Sequence, residues 1–259
     1  MINIESISYR YFCNLEPVPL PLKKGGELLI YPVKVKDYLV YQWAKEVMTI
    51  NKNSNACIEQ IKMSYLEFLQ KVKCTTEETK AQMWNFLHLI LHEDKFSFGN
   101  NCLIILGDNN EIKYVMKAKE FDDMRRIALY YNDVDYDDTY VSEDIQKLAE
   151  VYYETKFKSS NIEAPSLEKM KAFYCAKMGT RFSEINDIPF REFIQVYNAL
   201  KDEDLFFSER MIQCSEKFDY KDNLIHPLFR PKKSPYADLF DDASILSQKG
   251  IAGAENINF

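Results

Sequence analysis

Two groups of residues in this sequence have the types and spacing to do chemistry. His88 and His92 stand four apart on a helical stretch, so one helix face would present both imidazoles to a shared metal ion. No third ligand stands beside them, and the ordinary alternative is a partly exposed helix face. The second group is the acidic run after Asn132, where Asp133, Asp135, Asp137, Thr139 and Asp144 fall on loop positions one, three, five, seven and twelve of a calcium-binding hand. Asp138 occupies the position that needs glycine for the sharp bend, and Asp144 replaces the longer bidentate glutamate. A solvated acidic loop, or one facing a basic partner, is therefore expected. Asp135, Asp137 and Asp138 become candidate partner contacts, and neither a metal nor a cofactor is expected.

Other chemistry has less to build on. Cys13, Cys57, Cys74, Cys102, Cys175 and Cys214 are widely spaced, without a CxxC pair, and only three histidines could complete a zinc site. They read as reduced thiols. There is no Ser/His/Asp pattern and no phosphate-binding glycine loop, so no enzyme is expected. A net charge of −7 argues against a general nucleic-acid binder, which needs a dense basic surface. No apolar run approaches the roughly 18 to 20 residues of a membrane span. The N-terminus lacks a basic segment followed by an apolar run, which predicts a soluble, intracellular protein.

The element on which the chain turns is Phe121 to Tyr140. Phe121, Met124, Ile127, Ala128 and Tyr131 recur at helical spacing, with Asp122 and Asp123 read as lying beside the helix N-terminus. The following NDVDYDD cannot be buried unpaired, so the helix must end in an exposed acidic turn. Ahead of it, Pro17, Pro19 and Pro21 favour an extended arm or strand edge, and Gly25-Gly26 supplies a turn. A strand around Leu28 to Val35 is interrupted by Pro32. Asp37 is read as the cap of a helix carrying Leu39, Val40, Trp43, Val47 and Met48. Ser64 to Glu67 and Thr75 to Glu78 have the S/T-x-x-E form of a capping box. The second opens a helix with Met83, Trp84, Phe86, Leu87, Ile90 and Leu91 at core spacing. NCLIIL, GDNN and EIKYVM read as a β-hairpin.

Beyond the acidic turn, Ser142 is read as a cap, Pro165-Ser166 restarts a helix through Met178, and Gly179 ends it. TRFSEINDIPFREF gives a short helix, a turn and a helix from Pro189 carrying Phe190, Phe193, Ile194, Tyr197 and Leu200. This corner invites a DNA-binding helix-turn-helix reading, but only Arg191 is basic in the first turn, so a packing corner is expected. A last helix is read from Asp202 to about Phe218. The tail from residue 224 contains HPLFRPKKSPYADLF. Leu228, Phe229, Tyr236, Leu239 and Phe240 are too apolar for a solvating tail and suggest docking on the protein's own body or on a partner. The fold class expected is α+β, predominantly α-helical. Its organisation is an extended arm over 1–26, an α+β unit over 27–120 holding the small β component, a helical unit over 121–223 packed on it, and an extended tail over 224–259.

Several blocks together resemble a family of tail-assembly proteins of bacteriophages that infect low-GC Gram-positive bacteria. They are LLIYPVKVKDY and MSYLEFL, then FDDMRRIALYYNDVDYDDTY, then APSLEKMK and EINDIPFREF, spanning roughly residues 28 to 220. The resemblance implies a non-enzymatic tail assembly chaperone in the host cytoplasm. Such a protein shields the tape-measure protein until tail-tube subunits polymerise around it. The alternative it leaves open is a permanent virion component of tail, neck or baseplate, whose terminal arms contact neighbouring subunits. Homo-oligomers are compatible with both, and neither involves nucleic acid or a membrane. The HPLFRPKKSPYADLF tail departs from the family pattern.

Overall fold

The computed structural model describes residues 3–53, 57–134 and 165–214, together with 136, 148, 151, 152 and 155. The central helix, labelled α6 below, runs Ala118–Asn132, and all five residues of its expected stripe are buried, along with Leu129. Its ends are tied by side chains the stripe does not contain. At the N-terminus, the buried Glu120 carboxylate accepts from the backbone N–H of Lys117 (2.7 Å) and of Lys23 (2.5 Å). Glu120, rather than Asp122 or Asp123, is the first-turn acid, because the helix starts three residues earlier than its stripe. At the C-terminus, Asn132 accepts from Val33 N–H (2.6 Å) and donates to the Ala128 carbonyl (2.9 Å). Arg191 donates to the carbonyls of Tyr130 (3.0 Å) and Tyr131 (3.3 Å), which places a cation where the helix dipole is negative.

The elements around α6 follow from local chemistry. Ile4–Ile7 (α1) passes through a wide turn to Phe12, whose ring stacks on Tyr131 at 4.4 Å. Val18–Pro21 (β1) pairs antiparallel with Glu27–Ile30 (β2), Val18 opposite Ile30 and Leu20 opposite Leu28, all four buried. The prolines confine β1 to a sheet edge, and Gly25 and Gly26 turn the chain at positive φ. Residues 18–21 thus form the strand-edge element that the prolines offer as the alternative to an arm, with Phe12, Val18, Leu20 and Leu22 buried. β2 ends at Ile30, before Pro32.

Tyr38–Thr49 (α2) buries Tyr41, Ala44, Val47 and Met48, and Asp37 closes a single tight turn ahead of it without a side-chain cap bond. After Ile58–Lys62 (α3), Ser64 caps Tyr65–Phe68 (α4) by accepting from Glu67 N–H at 3.1 Å. In Glu77–Leu91 (α5) the cap is Thr76, one residue later than expected, because the Thr79 hydroxyl reaches back to the Lys73 carbonyl and fixes the preceding turn.

Lys95–Gly99 (β3), Cys102–Leu106 (β4) and Ile112–Lys117 (β5) form a three-stranded antiparallel sheet. β4 and β5 are the expected hairpin. β3 is additional, held by Trp84 of α5 against Phe96 (5.6 Å) and Phe98 (5.1 Å). The chain is therefore α+β and predominantly helical, with two small antiparallel sheets.

Leu167–Met178 (α7) stops at Gly179, whose φ of +68° is the left-handed terminator expected of it. Phe182–Ile185 (α8) leads to Phe190–Cys214 (α9), one continuous helix where the sequence suggests two. This corner encloses its own small core of Val35, Tyr174, Ile185, Phe190 and Phe193. It joins the Val33–Asp37 segment through Val35 N–H to Ile188 O (2.9 Å), Lys36 N–H to Asn186 O (3.1 Å) and Phe190 N–H to Val33 O (2.7 Å). Contacts divide the chain into Met1–Thr139 with Leu167–Asn198, and Tyr140–Ser166 with Ala199–Phe259. α6 falls in the first of these units.

Candidate functional site

The first candidate, the histidine pair, is already engaged. His88 Nδ1 lies 2.8 Å from an Asp94 carboxylate oxygen. His92 ends α5 in the left-handed region at φ +55°, its ring stacked on Tyr31 at 4.0 Å. Burial, then the neighbouring His88 and Lys34, hold its pKa below the usual imidazole value. Each ring is thus engaged by its own neighbour, and among the described residues no group of three His, Cys, Asp or Glu could hold a metal.

Of the calcium-loop positions, Asp133 forms an ion pair with Lys45 at the end of α6. Asp135, Asp137, Asp138, Thr139 and Asp144 lie outside the described residues, as do Leu228, Phe229, Tyr236, Leu239 and Phe240 of the tail. The helix-turn-helix reading fails on its one basic residue. Arg191 is committed to α6 carbonyls and lies 5.2 Å over the Phe12 ring, while burial lowers its pKa.

A cleft of about 280 Å³ opens beside β3 and the β4–β5 turn, lined by His92, Glu93, Asp94, Lys95, Asp108 and Lys113 among others. Its lysines are occupied. Lys95 donates to Asp108 O (2.8 Å) and Asn110 Oδ1 (3.2 Å), and Lys113 pairs with Glu93. The hydrogen bond to Glu93 raises the Lys113 pKa. The two lysines thus brace the hairpin from within the cleft. The Cys74 thiol is buried and pushed up to about 11 by desolvation, which removes it as a nucleophile near neutral pH.

The described residues also leave apolar surface exposed. On α2, Leu39 is 66% exposed, Val40 45% and Trp43 36%. Spaced at i, i+1 and i+4, they are neighbours on a flank of the helix that adjoins the buried Tyr41, Ala44, Val47 and Met48. Counting these three among the apolar residues of the helix, as the sequence alone invites, misses the division. The sequence carries no signal that separates them: at 100° per residue the buried Val47 falls between Trp43 and Val40, so periodicity alone does not divide the two sets. On the distal part of α9, none of the residues Ala199–Cys214 is buried, and Leu205, Phe207 and Met211 are 48%, 57% and 75% exposed.

Compared with known proteins, the chain matches no family model, no curated protein and no solved structure. Among the described residues, no helix is long and apolar enough to cross a membrane.

Proposed function

We propose that this chain is a non-enzymatic bacteriophage tail assembly protein that covers apolar helical surface of a tape-measure or tail-tube partner in the host cytoplasm. The observation that carries this reading is the Leu39, Val40 and Trp43 stripe: a helix seated in a sealed core presents three adjacent large apolar side chains outward. Such a stripe suits an amphipathic partner helix, whose apolar face would cover it.

The resemblance supports the reading at the level of the frame. LLIYPVKVKDY and EINDIPFREF, far apart in sequence, meet in the ladder of Val33, Val35 and Lys36 with Asn186, Ile188 and Phe190, and FDDMRRIALYYN is part of α6. The quoted blocks are thus residues that build the body, and the partner-binding role is inferred through them.

Mass spectrometry of purified virions beside a pull-down from infected cells, with this chain as bait, tests the proposal. Absence from particles together with recovery of tape-measure or tail-tube protein is expected. Presence at fixed stoichiometry in particles would replace the assembly factor with a permanent virion subunit. Such a subunit would have Phe12, Val18, Leu20 and Leu22 of its N-terminal segment already buried in its own core.

A further inference from the structure

The segment 167–198, made of α7, α8 and the start of α9, carries a core of its own. Among the described residues, the buried members of that core (Val35, Tyr174, Ile185, Phe190 and Phe193) share none with the main core around α6. The partly buried Tyr38 packs against both. We propose that 167–198 is a lid, which opens as one unit from the Val33–Asp37 segment and uncovers Val35 and Tyr38 while the main core stays folded.

The contacts that close the lid are local. Val35, Lys36 and Phe190 donate across the ladder, the Tyr38 ring stacks on Phe190 at 3.4 Å, and Arg191 reaches the α6 carbonyls. Asp187 pairs with Lys36 (2.9 Å) and Lys34 (3.6 Å), but its side chain is 66% exposed, and ion pairs in water hold little. Against closure, the Thr180 hydroxyl is buried without a hydrogen-bond partner among the described residues, a cost that opening relieves. The body, in turn, stays satisfied when the lid lifts. Every buried residue of the main core lies at or before Tyr131 in the chain. Asn132 keeps its bonds to Val33 N–H and the Ala128 carbonyl, and the Tyr131 hydroxyl keeps its bond to the Glu16 carbonyl (3.0 Å). The carbonyls that Arg191 releases stand at a helix end, where water can replace it. What opening uncovers is apolar: Val35, only 1% exposed when the lid is closed, and Tyr38, both just ahead of Leu39 and Val40 in the chain. The lid goes beyond the partner-binding reading, and its opening is measured without any partner.

Native-state hydrogen exchange on the full chain, in low urea, tests the lid. The amides of Val35, Lys36, Phe190 and Phe193 are expected to share one dependence on urea and to exchange at least about a hundredfold faster than those of α6. Exchange at the α6 rate would overturn the proposal, since 167–198 would then open only with the whole protein. Four unrelated urea dependences would overturn it in favour of local fraying. Two full-length variants test the same motion. Phe193→Asp breaks the lid's core and should abolish protection across 167–198 while α6 and β3–β5 stay protected. Loss of α6 protection as well would overturn the proposal. Lys34→Cys/Pro189→Cys replaces bridge partners flanked by the Val35–Ile188 and Phe190–Val33 hydrogen bonds, a pairing whose Cα atoms stand about 4.5 Å apart, within disulfide reach. Oxidation should slow the four amides at least about tenfold, and reduction should restore their rates. Equally fast exchange with the disulfide formed would contradict opening at this ladder.

Discussion

α6 and the distal half of α9 carry comparable numbers of large apolar residues and put them to opposite use. In α6, Phe121, Met124, Ile127, Ala128 and Tyr131 stay on one stripe and are all buried. In 201–214, Leu205 and Phe207 are two residues apart and so point to nearly opposite sides of the axis, and neither is buried. Apolar content therefore does not decide which helix becomes core. Spacing does, along with polar groups that satisfy the helix ends. α6 has Glu120, Asn132 and Arg191 at its ends, whereas the buried residues of α9, Phe190 and Phe193, both lie near its start.

That contrast can be broken experimentally, starting at its centre. Phe121→Ala removes a fully buried ring from the main core and should cost about 3–5 kcal/mol in urea unfolding. A loss under about 1 kcal/mol would mean that α6 is not the centre. Arg191→Met keeps length and apolar stem but strips the charged donors from two α6 carbonyls. A loss of about 1–3 kcal/mol is expected, with the midpoint of thermal unfolding lowered accordingly. If the variant is as stable as the parent, the corner at Phe190 is held by its aromatic contacts alone.

Tyr41→Phe sharpens the same point from the other direction. The Tyr41 hydroxyl is buried without a hydrogen-bond partner among the described residues, and burial pushes its pKa well up, so deleting it should stabilise the protein by about 1 kcal/mol. Destabilisation of that size would reveal a hydrogen bond to the hydroxyl. The smallest effect is expected on the exposed helix, where Phe207→Ala should change stability by no more than about 0.5 kcal/mol. Calorimetry showing a loss comparable to that of Phe121→Ala would erase the distinction between the two helices.

Much of the frame was legible in the sequence because it rests on periodicity and turn chemistry. The α6 stripe, the β4–β5 hairpin, the Ser64 cap and the Gly179 stop all follow local rules. What was not legible depends on partners distant in sequence. β3 exists because Phe96 and Phe98 meet Trp84, and the N-terminal segment reaches the core because Phe12 meets Tyr131. α9 runs unbroken through Ala199–Lys201, where neither glycine nor proline interrupts it. Of the candidate contacts, the acidic trio and the tail quintet are outside the described residues, and the α2 stripe needed the structure to show which apolar face was already spent on the core.

The central claim is that this outward stripe binds the partner. Capture of the recovered tail protein by the parent chain should be compared with capture by Leu39→Asp/Val40→Asp, two exposed positions whose change should leave the thermal midpoint nearly unmoved. A loss of capture of about tenfold or more with the fold intact is expected. Undiminished capture by the folded variant would contradict the account.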